Sequence, residues 1–575
     1  MTNDKKTPET GEDVLRLLDS RDDLSAVRLR DLKSAIKRIC EMAHVPPTTL
    51  PADPVALRNI LREIKPAAHS VSSKTWSNLR TLLAAALQLA GVADPLGRGT
   101  ALRCPAWAPL LEPLLGNKRL SHGLAAFANW CATEDIAPDR VDDQTVQRFS
   151  TWIETRTLCP KPRDVVRRVP TVWSEASGII EAWPTTKLTP ISFKAPRMRL
   201  PWEALSQSLQ ADAKAYLKMR GEPDLFDERP NAPKRPLAQS TLHQQSEHLR
   251  LAASVLIDSG TLVEEITSLA DLLQPEQFKT VLRYYHEQAN GRPSAFAVCL
   301  ATTLMQVAQY YTEAKPDEVA RLKRIANKLP SIPLELTEKN KALLRQLESE
   351  GLQAKLFFLP ERLVAEVTKT LATSRVDFVK AQAAIAIDFQ LAIPLRPQNL
   401  CRLNWARHFL EPDGPRGRML LHIAATELKS RCQDYTVEIP DHVARRLRWY
   451  RREVLVRLNA DVNGDLFVTK EGKRKTQDTL TDQIIQVIED QVGIHMTPHQ
   501  FRHFCGNSYL DGNPKDTETA RALLGHASVK TTRIYVGSGS RRASRAYGDF
   551  VSEQRDALKL KGKGQPRRKT KKEPV

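Results

Sequence analysis

The segment MTPHQFRHFCG, residues 496–506, decides the fold of the C-terminal third of the chain. His499 and Arg502 stand three residues apart at the predicted start of a helix, and Pro498 precedes them. A spacing of three places two side chains on the same face of a helix. The segment therefore presents a histidine and an arginine side by side.

A second segment follows closely, ARALLGHASVKTTRIYVG at 520–537. Gly525 is predicted to end a helix in the left-handed conformation, which glycine adopts with little strain. His526 comes directly after this glycine, so it is held at a helix terminus. Tyr535 stands nine residues beyond His526, among threonines and a lysine.

Upstream, the segment LAIPLRPQNLCRLNW at 391–405 places Arg396 at the end of a predicted buried helix. Arg418–Ile423 and Tyr435–Pro440 alternate apolar and polar residues, which predicts two paired strands. Lys429 lies in the turn between these strands. The C-terminal region is therefore predicted to be mostly helical with a small antiparallel sheet.

Apolar residues at helical spacing predict helices along most of the chain. The fold class is thus mainly α and multidomain, with a small antiparallel β-sheet in the C-terminal domain. Residues 158–200 hold six prolines and little periodicity, so we expect them to be irregular or extended. The predicted helices cover 28–42, 56–64, 75–89, 120–133, 143–157, 202–219, 240–256, 274–287, 295–311, 361–373, 377–393, 442–458, 479–492, 499–511 and 516–524.

Changes in composition divide the chain into predicted domains. The segment at 268–285 echoes the one at 48–64, which favours either a duplicated helical module or a chance likeness of amphipathic helices. The predicted parts are an N-terminal helical domain at 1–115, a helical and irregular connecting region at 116–235, a helical domain at 236–335, a C-terminal domain at 350–550 and a basic tail at 551–575.

Composition excludes several classes of protein. The chain is 41% hydrophobic and 27% charged, so it is not mostly disordered. Its eight cysteines include no C-x-x-C pair, which argues against a disulfide framework and favours the cytoplasm. Apolar runs are too short to span a membrane, and the N-terminus lacks the pattern of a signal peptide.

The charge balance is strongly basic. Lys and Arg total 86 against 67 Asp and Glu, a formal net charge of +19. This favours a polyanionic partner, most simply nucleic acid, although a basic balance is also common among ordinary soluble proteins.

Taken in order, these residues resemble the catalytic domain of the tyrosine recombinases, the phage integrase family, over about residues 355–550. The family's pattern is an Arg near a helix end, a Lys on a β-hairpin, His-x-x-Arg, Leu-Leu-Gly-His and a Tyr nine residues on. The matching residues here are Arg396, Lys429, His499, Arg502, His526 and Tyr535. The resemblance implies a site-specific DNA recombinase or integrase of a mobile element, and by position it makes 236–335 the core DNA-binding domain.

The roles of three residues follow from the charge of a DNA phosphodiester. Cleavage concentrates negative charge on the non-bridging oxygens, and fixed cationic donors stabilise that charge. Arg396 and Arg502 suit this role because a guanidinium is always charged and matches phosphate oxygens with two donors. His526 is expected to supply a further donor to the same phosphate.

The other three residues are assigned to nucleophilic attack and proton transfer. The resemblance implies that Tyr535 is the nucleophile and forms a 3′-phosphotyrosine with release of a 5′-hydroxyl. A phenol is mostly neutral near pH 7, so it needs a base, for which His499 is the candidate. Lys429 is expected to protonate the departing 5′-oxygen. Because the covalent step conserves bond energy, neither ATP nor a metal is expected as a cofactor.

Several residues complicate this assignment. Asn399 stands where the family usually carries an acidic residue, which leaves the charge balance around Arg396 open. Tyr547 is a rival nucleophile, 21 residues past His526. His495, His499 and His503 are spaced by four, but Pro498 interrupts any metal-binding stripe and no acidic ligand stands near.

Two further segments are candidates for contacts outside the site. The run ARRLRWYRREVLVRL at 444–458 carries six arginines, for which phosphate contacts and a solvated helix face are both open. Residues 544–560 are expected to form a helix that packs on a neighbouring protomer, as the resemblance implies.

Double-stranded DNA is the expected partner, which would associate a cytoplasmic protein with the nucleoid. Strand exchange needs two duplexes and four cleavages, so a homotetramer in the synaptic complex is implied. Accessory recombinases or DNA-bending proteins are further candidate partners, and no membrane is expected. The rival functions are a type IB topoisomerase-like enzyme or hairpin-forming resolvase, and a non-catalytic DNA-binding regulator.

Overall fold

The structure is a computed structural model of the 575-residue chain. The chain separates into two compact units, one formed by Met1–Ile191 with Glu335–Val575 and the other by Ser192–Leu334. The predicted fold class, mainly helical with a small antiparallel sheet, is confirmed. The described residues are 7–193, 199–229, 232–233, 235–312, 314–333, 335–370, 374–414, 416–428, 433–513, 515–525, 532, 548 and 550–555.

The N-terminal part of the first unit is helical, and its residues 14–93 share one apolar core. Several of the helix starts are capped by side chains; the Ser72 hydroxyl, for example, accepts a hydrogen bond from the Thr75 amide at 3.1 Å. Such caps satisfy first-turn amides that have no partner inside the helix. The helices are α1 (Gly11–Asp19), α2 (Ala26–Ala43), α3 (Pro54–Glu63), α4 (Ser73–Leu89), α5 (Thr100–Arg103), α6 (Ala108–Leu111), α7 (Lys118–Thr133), α8 (Asp143–Thr155) and α9 (Pro162–Ser177).

Helix α9 contradicts our expectation that residues 158–200 are irregular or extended throughout. Pro162 occupies the first turn, where a missing amide costs nothing because first-turn amides have no intrahelical partner. Pro170 lies inside the helix and is buried beside Val169 and Trp173. Burial of this apolar face compensates for the hydrogen bond that a proline removes.

The second unit has an apolar core of its own. Tyr216, Leu249, Phe278 and Leu300 are at most 1% exposed and belong to one cluster of packed side chains. The helices are α10 (Gln207–Gly221), α11 (Gln239–Asp258), α12 (Pro275–Gln288), α13 (Ala295–Tyr310) and α14 (Pro316–Ala326).

One three-helix arrangement occurs three times in the described chain, as α2–α4, α7–α9 and α11–α13. In each copy the first helix packs on the third. Each first helix is followed by a residue with positive φ, namely His44, Asp135 and Gly260. The next amide then bonds back five residues, from Val45 to Cys40, Ile136 to Cys131 and Thr261 to Leu256 at 2.8–3.1 Å. The related segments 48–64 and 268–285 occupy corresponding parts of the first and third copies.

The C-terminal part of the first unit surrounds one buried helix, α18. Residues 381–390 of α18 are all buried, and all but three of them are apolar. Its buried Asp388 is neutralised by Arg446, whose Nε donates to the carboxylate at 2.6 Å. The helices before the sheet are α15 (Glu338–Gln346), α16 (Glu350–Phe357), α17 (Leu359–Thr370), α18 (Arg375–Ala392), α19 (Pro397–Cys401) and α20 (Trp405–His408).

The described residues of this region include one three-stranded antiparallel sheet in the order β1-β2-β3. Its strands are β1 (Phe409–Leu410), β2 (Met419–Ile423) and β3 (Tyr435–Ile439). Leu421 of β2 lies opposite Phe409 on one side and Val437 on the other. The helices after the sheet are α21 (Asp441–Trp449), which continues as a π-helical segment over Tyr450–Leu455, then α22 (Gln477–Gln491), α23 (Pro498–Gly512) and α24 (Thr517–Leu524).

Residues 65–69 of the N-terminal part contact the C-terminal part within the first unit. The Lys65 ammonium donates to the Glu489 carboxylate at 3.0 Å, and Lys355 Nζ lies 3.4 Å from the Ala67 carbonyl oxygen. Gly493, with φ +87°, approaches so closely that a Cβ on it would lie 2.4 Å from the Ala68 nitrogen. This contact therefore requires glycine at 493.

Over the described residues, no helix combines the length and apolar character needed to cross a bilayer.

Candidate active site

Arg396 is the first side chain of the site, and the backbone around it is firmly held. It is the residue that caps α19 at its N-terminus, directly after the buried residues Ile393–Leu395. The buried Gln390 amide donates to the Leu395 carbonyl at 3.0 Å, which fixes the turn between α18 and α19. The position of Arg396 is therefore set by the core.

The guanidinium of Arg396 is half-buried and has no hydrogen bond or ion pair with any side chain or backbone group of the described residues. Burial lowers the pKa of this guanidinium, and no carboxylate opposes that effect. An arginine nevertheless stays charged at physiological pH. A positive charge so placed favours an anionic ligand.

Arg502 lies on α23 and is 4% exposed. One terminal nitrogen donates to the Pro394 carbonyl at 2.5 Å, and the other donates to the Leu524 carbonyl. The first bond reaches the turn that carries Arg396, and the second reaches the end of α24 next to Gly525. Arg502 therefore joins the turn that carries Arg396 to the C-terminal end of α24.

The histidines of α23 have different surroundings. His499 is exposed in the first turn, and its ring meets that of His503 edge to face with centroids 5.1 Å apart. Burial, together with the charges of His499 and Arg502, lowers the pKa of His503 to about 4, so His503 is neutral near pH 7. The Nδ1 of His495 instead donates a hydrogen bond to the Glu489 carboxylate at 2.8 Å. Among the described residues, no three His, Cys, Asp or Glu side chains cluster as metal ligands.

The loop between β2 and β3 is flanked by hydrogen bonds to other parts of the site. The Asn399 amide donates to the Glu427 carbonyl at 3.4 Å, on the side where the loop begins. The Tyr435 hydroxyl donates to the Leu523 carbonyl at 3.3 Å, on the side where it ends. Across the base, the Ala425 amide donates to the Asp434 carboxylate at 2.8 Å. Burial raises the pKa of Tyr435 to about 12.

A pocket of about 580 Å³ lies between the turn at Arg396, strand β3, helix α23 and helix α24. Arg396 and Arg502 both line it, so the structure brings the two predicted arginines together. Asn399, Tyr435 and Gly525 line it as well. Arg521 lines it too but pairs with Glu518. A pocket that contains Arg396, which has no partner among the described residues, suits a phosphate group.

His499 lies on the same helix as Arg502 but is not among the residues that line the pocket. Lys429, His526 and Tyr535 fall outside the described residues. Leu428, which precedes Lys429, and Gly525, which precedes His526, both line the pocket. Sequence reasoning overlooked Tyr435, which it identified only as the first residue of a strand. The sequence signal that could have identified it is an aromatic residue at the point where the loop containing Lys429 ends and β3 begins.

The arginines of 444–458 mostly serve the structure. Five of the six side chains bond inside the domain, so this run is not a free basic face. The pairs are Arg446 with Asp388 and Glu361, Arg448 with Glu411, Arg451 with the Val462 carbonyl, and both Arg452 and Arg457 with Glu453.

Residues 361–541 match the Phage integrase family. The chain is 30% identical over 87 residues to the tyrosine recombinase XerC of Pseudomonas entomophila, covering 15% of this chain and 28% of that protein. It is 29% identical over 150 residues to the tyrosine recombinase XerA of Pyrococcus furiosus, covering 24% of this chain and 45% of that protein. The chain thus spans less than half the length of either relative.

One similar solved structure is that of the XerH site-specific recombinase bound to palindromic difH substrate in a post-cleavage complex. It is 16% identical to this chain, and the alignment covers 54% of this chain and 79% of that chain with a TM-score of 0.35. The family match covers the pocket and every residue predicted for the site. The match of residues 361–541 to this family confirms the resemblance to the tyrosine recombinases found in the sequence.

Proposed function

We propose that the chain is a site-specific DNA recombinase that cuts and rejoins strands through a 3′-phosphotyrosine intermediate. The observation that carries this proposal is the pocket shared by Arg396 and Arg502, in which the Arg396 guanidinium has no partner among the described residues. A phosphodiester supplies the anion that this charge lacks. The match of residues 361–541 to a family of recombinases supports the same reaction.

In the proposed reaction, the Tyr535 oxygen attacks phosphorus and the bond to the 5′-oxygen breaks. Arg396 and Arg502 stabilise the charge on the non-bridging oxygens, and His526 donates to one of them. His499 takes the phenolic proton and Lys429 supplies a proton to the 5′-oxygen, which leaves as a hydroxyl. Attack by a 5′-hydroxyl on the phosphotyrosine reverses these steps and rejoins a strand, so no ATP or metal is consumed.

Double-stranded DNA is the proposed substrate and partner. Exchange between two duplexes requires four cleavages, and each chain supplies one tyrosine, so we propose a homotetramer on DNA. Accessory recombinases or DNA-bending proteins are further proposed partners. The predicted domains, with 236–335 as the core DNA-binding domain and 350–550 as the catalytic domain, stay part of this proposal.

Covalent trapping tests the proposal. The protein is incubated in EDTA with nicked duplexes drawn from the DNA that flanks its gene, and adducts are separated on a denaturing gel. We expect an adduct with the wild type and with Tyr547→Phe, and none with Tyr535→Phe. An adduct that survives Tyr535→Phe would overturn the assignment of the nucleophile.

The same protein preparations, tested also on a supercoiled plasmid, separate the rival functions. Relaxation of supercoiled DNA without dependence on a particular site would favour the topoisomerase. Binding in a gel shift without any adduct would favour the non-catalytic regulator.

A further inference from the structure

A second basic groove lies far from the pocket in sequence, between α7 and α9. Lys118, Arg119 and His122 line it from the first turns of α7, and Arg167, Arg168 and Thr171 line it from α9. All six side chains are exposed, and the groove measures about 590 Å³.

Close contact between the two helices forms the floor of this groove. A Cβ on Gly123 would lie 2.9 Å from Val172 Cγ1, so the helices touch at this point and diverge around it. The floor is therefore fixed by packing, and the cationic side chains stand on its two walls.

The positive charge of the groove is only partly neutralised. Arg119 pairs with Glu175, and Arg167 pairs with Asp164. Lys118 and Arg168 make no ion pair with any described residue. The two existing pairs are exposed, and exposed ion pairs contribute little, so a polyanion can replace them at small cost.

The lining residues favour a nucleic-acid backbone over a protein surface. The groove exposes no large apolar or aromatic side chain, since Val172 is buried. Protein interfaces depend on such anchors at their centres and are depleted in lysine there. Two cationic side chains stand on each wall, Lys118 and Arg119 on α7 and Arg167 and Arg168 on α9, and positive charge on both walls suits the closely spaced charges of a phosphate backbone.

We propose that the α7–α9 groove is a second DNA-binding surface, which holds the phosphate backbone of a duplex without reading its sequence. This inference rests on the proposed function in that DNA is the substrate. It assigns to the N-terminal part of the chain a contact that the pocket does not require.

The test uses the full-length protein and the double variant Lys118→Glu with Arg168→Glu. The matched control is Arg98→Glu with Arg103→Glu, two exposed arginines outside the groove with the same change of net charge. Affinity for a long random-sequence duplex is measured by fluorescence anisotropy over a range of salt concentrations. Each phosphate contact adds about 0.9 to the slope of log affinity against log salt, so we expect the groove variant to lose about 2 from the slope and the control to lose less than half of that.

A slope that is equal in the groove variant, the control and the wild type would overturn the proposal. Loss of self-association in light scattering with an unchanged slope would also overturn it, and would identify the groove as a protein interface. A photoreactive amino acid at Thr171 provides a direct measurement, because it should cross-link to the duplex while the same group at the exposed Leu102 should not.

Failure of the proposed reaction is distinguishable from failure of this inference. The salt slope needs binding alone, whereas the covalent adduct on a short nicked duplex, formed with protein in excess, also needs the chemistry of the pocket. We expect the groove variant to form that adduct at the wild-type level.

Discussion

At the scale of single residues, the unpaired charge of Arg396 predicts a loss of chemistry rather than of folding. Removing one preorganised donor to a transition-state oxyanion slows reactions by about a hundredfold to a thousandfold. We expect Arg396→Ala to slow single-turnover cleavage by that factor. Arg396→Lys should recover only part of the rate, because an ammonium lacks the two-donor fork of a guanidinium.

Arg402 provides the matched control, since it is an exposed arginine six residues beyond Arg396. Arg402→Ala should cleave at the wild-type rate. Equal cleavage rates for Arg396→Ala and Arg402→Ala would contradict the role of Arg396.

His503 predicts a dependence of stability on pH. Its pKa falls from 6.5 to about 4 on folding, so the unfolded chain binds more protons between these values. The free energy of unfolding therefore decreases as the pH falls from about 6.5 to about 4, and this contribution is complete above about 6.5. As the pH falls over that range, we expect the free energy of unfolding of His503→Asn to decrease less than that of the wild type. Denaturant unfolding at several pH values measures it. The exposed His442→Asn should follow the wild type, and a His503→Asn curve parallel to the wild type would contradict the prediction.

At the scale of elements, the two hydrogen bonds beside the β2–β3 loop predict a specific defect in proton transfer. Asn399 donates to the Glu427 carbonyl, where the loop that contains Lys429 in sequence begins, and Tyr435, where that loop ends, donates to the Leu523 carbonyl of α24. We expect Asn399→Ala and Tyr435→Phe to slow cleavage of ordinary DNA. A substrate with sulfur in place of the 5′-bridging oxygen should restore their rates, because a departing thiolate needs no proton.

Lys429→Ala should behave in the same way, whereas Arg396→Ala should stay slow on the sulfur substrate. The control is Asn513→Ala, which removes a bond of the same kind, from an amide to the Tyr509 carbonyl. Equal slowing of Asn399→Ala on both substrates would show a general structural role instead.

The contact at Gly493 predicts that a single methyl group destabilises the first unit. Gly493→Ala places a Cβ 2.4 Å from the Ala68 nitrogen and also strains a positive φ. Gly472 has φ +74° with open space around it, so Gly472→Ala measures the strain alone. Strain at such a φ costs about 1–2 kcal/mol, and overpacking adds about 1–3 kcal/mol. Equal free energies of unfolding for the two variants would contradict the contact.

Sequence spacing predicted the sheet and the helices of the C-terminal domain, because these follow from local periodicity. The resemblance to a known family, and not the spacing, implied that Arg396 and Arg502 share a site. Spacing failed at α9, since a count of prolines does not show that Pro162 starts a helix and that Pro170 is buried within it. It overlooked the hydrogen bond of Tyr435 and the ion pair of Arg446 with Asp388, because both depend on partners that are distant in sequence. Local patterns carry no information on such pairs.

At the scale of the whole molecule, the separate core of Ser192–Leu334 predicts two unfolding transitions. Phe278 and Phe389 are both fully buried, one in each unit. Truncation of a buried phenylalanine costs about 3–5 kcal/mol. We expect Phe278→Ala to lower one calorimetric transition and Phe389→Ala to lower the other. One transition that both variants lower equally would show a single cooperative unit.

The ion pair between Lys65 and Glu489 joins residues 424 positions apart. During synthesis the N-terminal helices leave the ribosome long before their contact surface on α22 exists. Ser192–Leu334 is complete in the meantime, and domains generally fold as units in the order in which they emerge. The inserted unit is therefore free to fold first, and the first unit closes only when the last third of the chain has been translated. A chain truncated before residue 489 would leave the surface at 65–69 uncovered, which makes premature termination a route to aggregation and degradation.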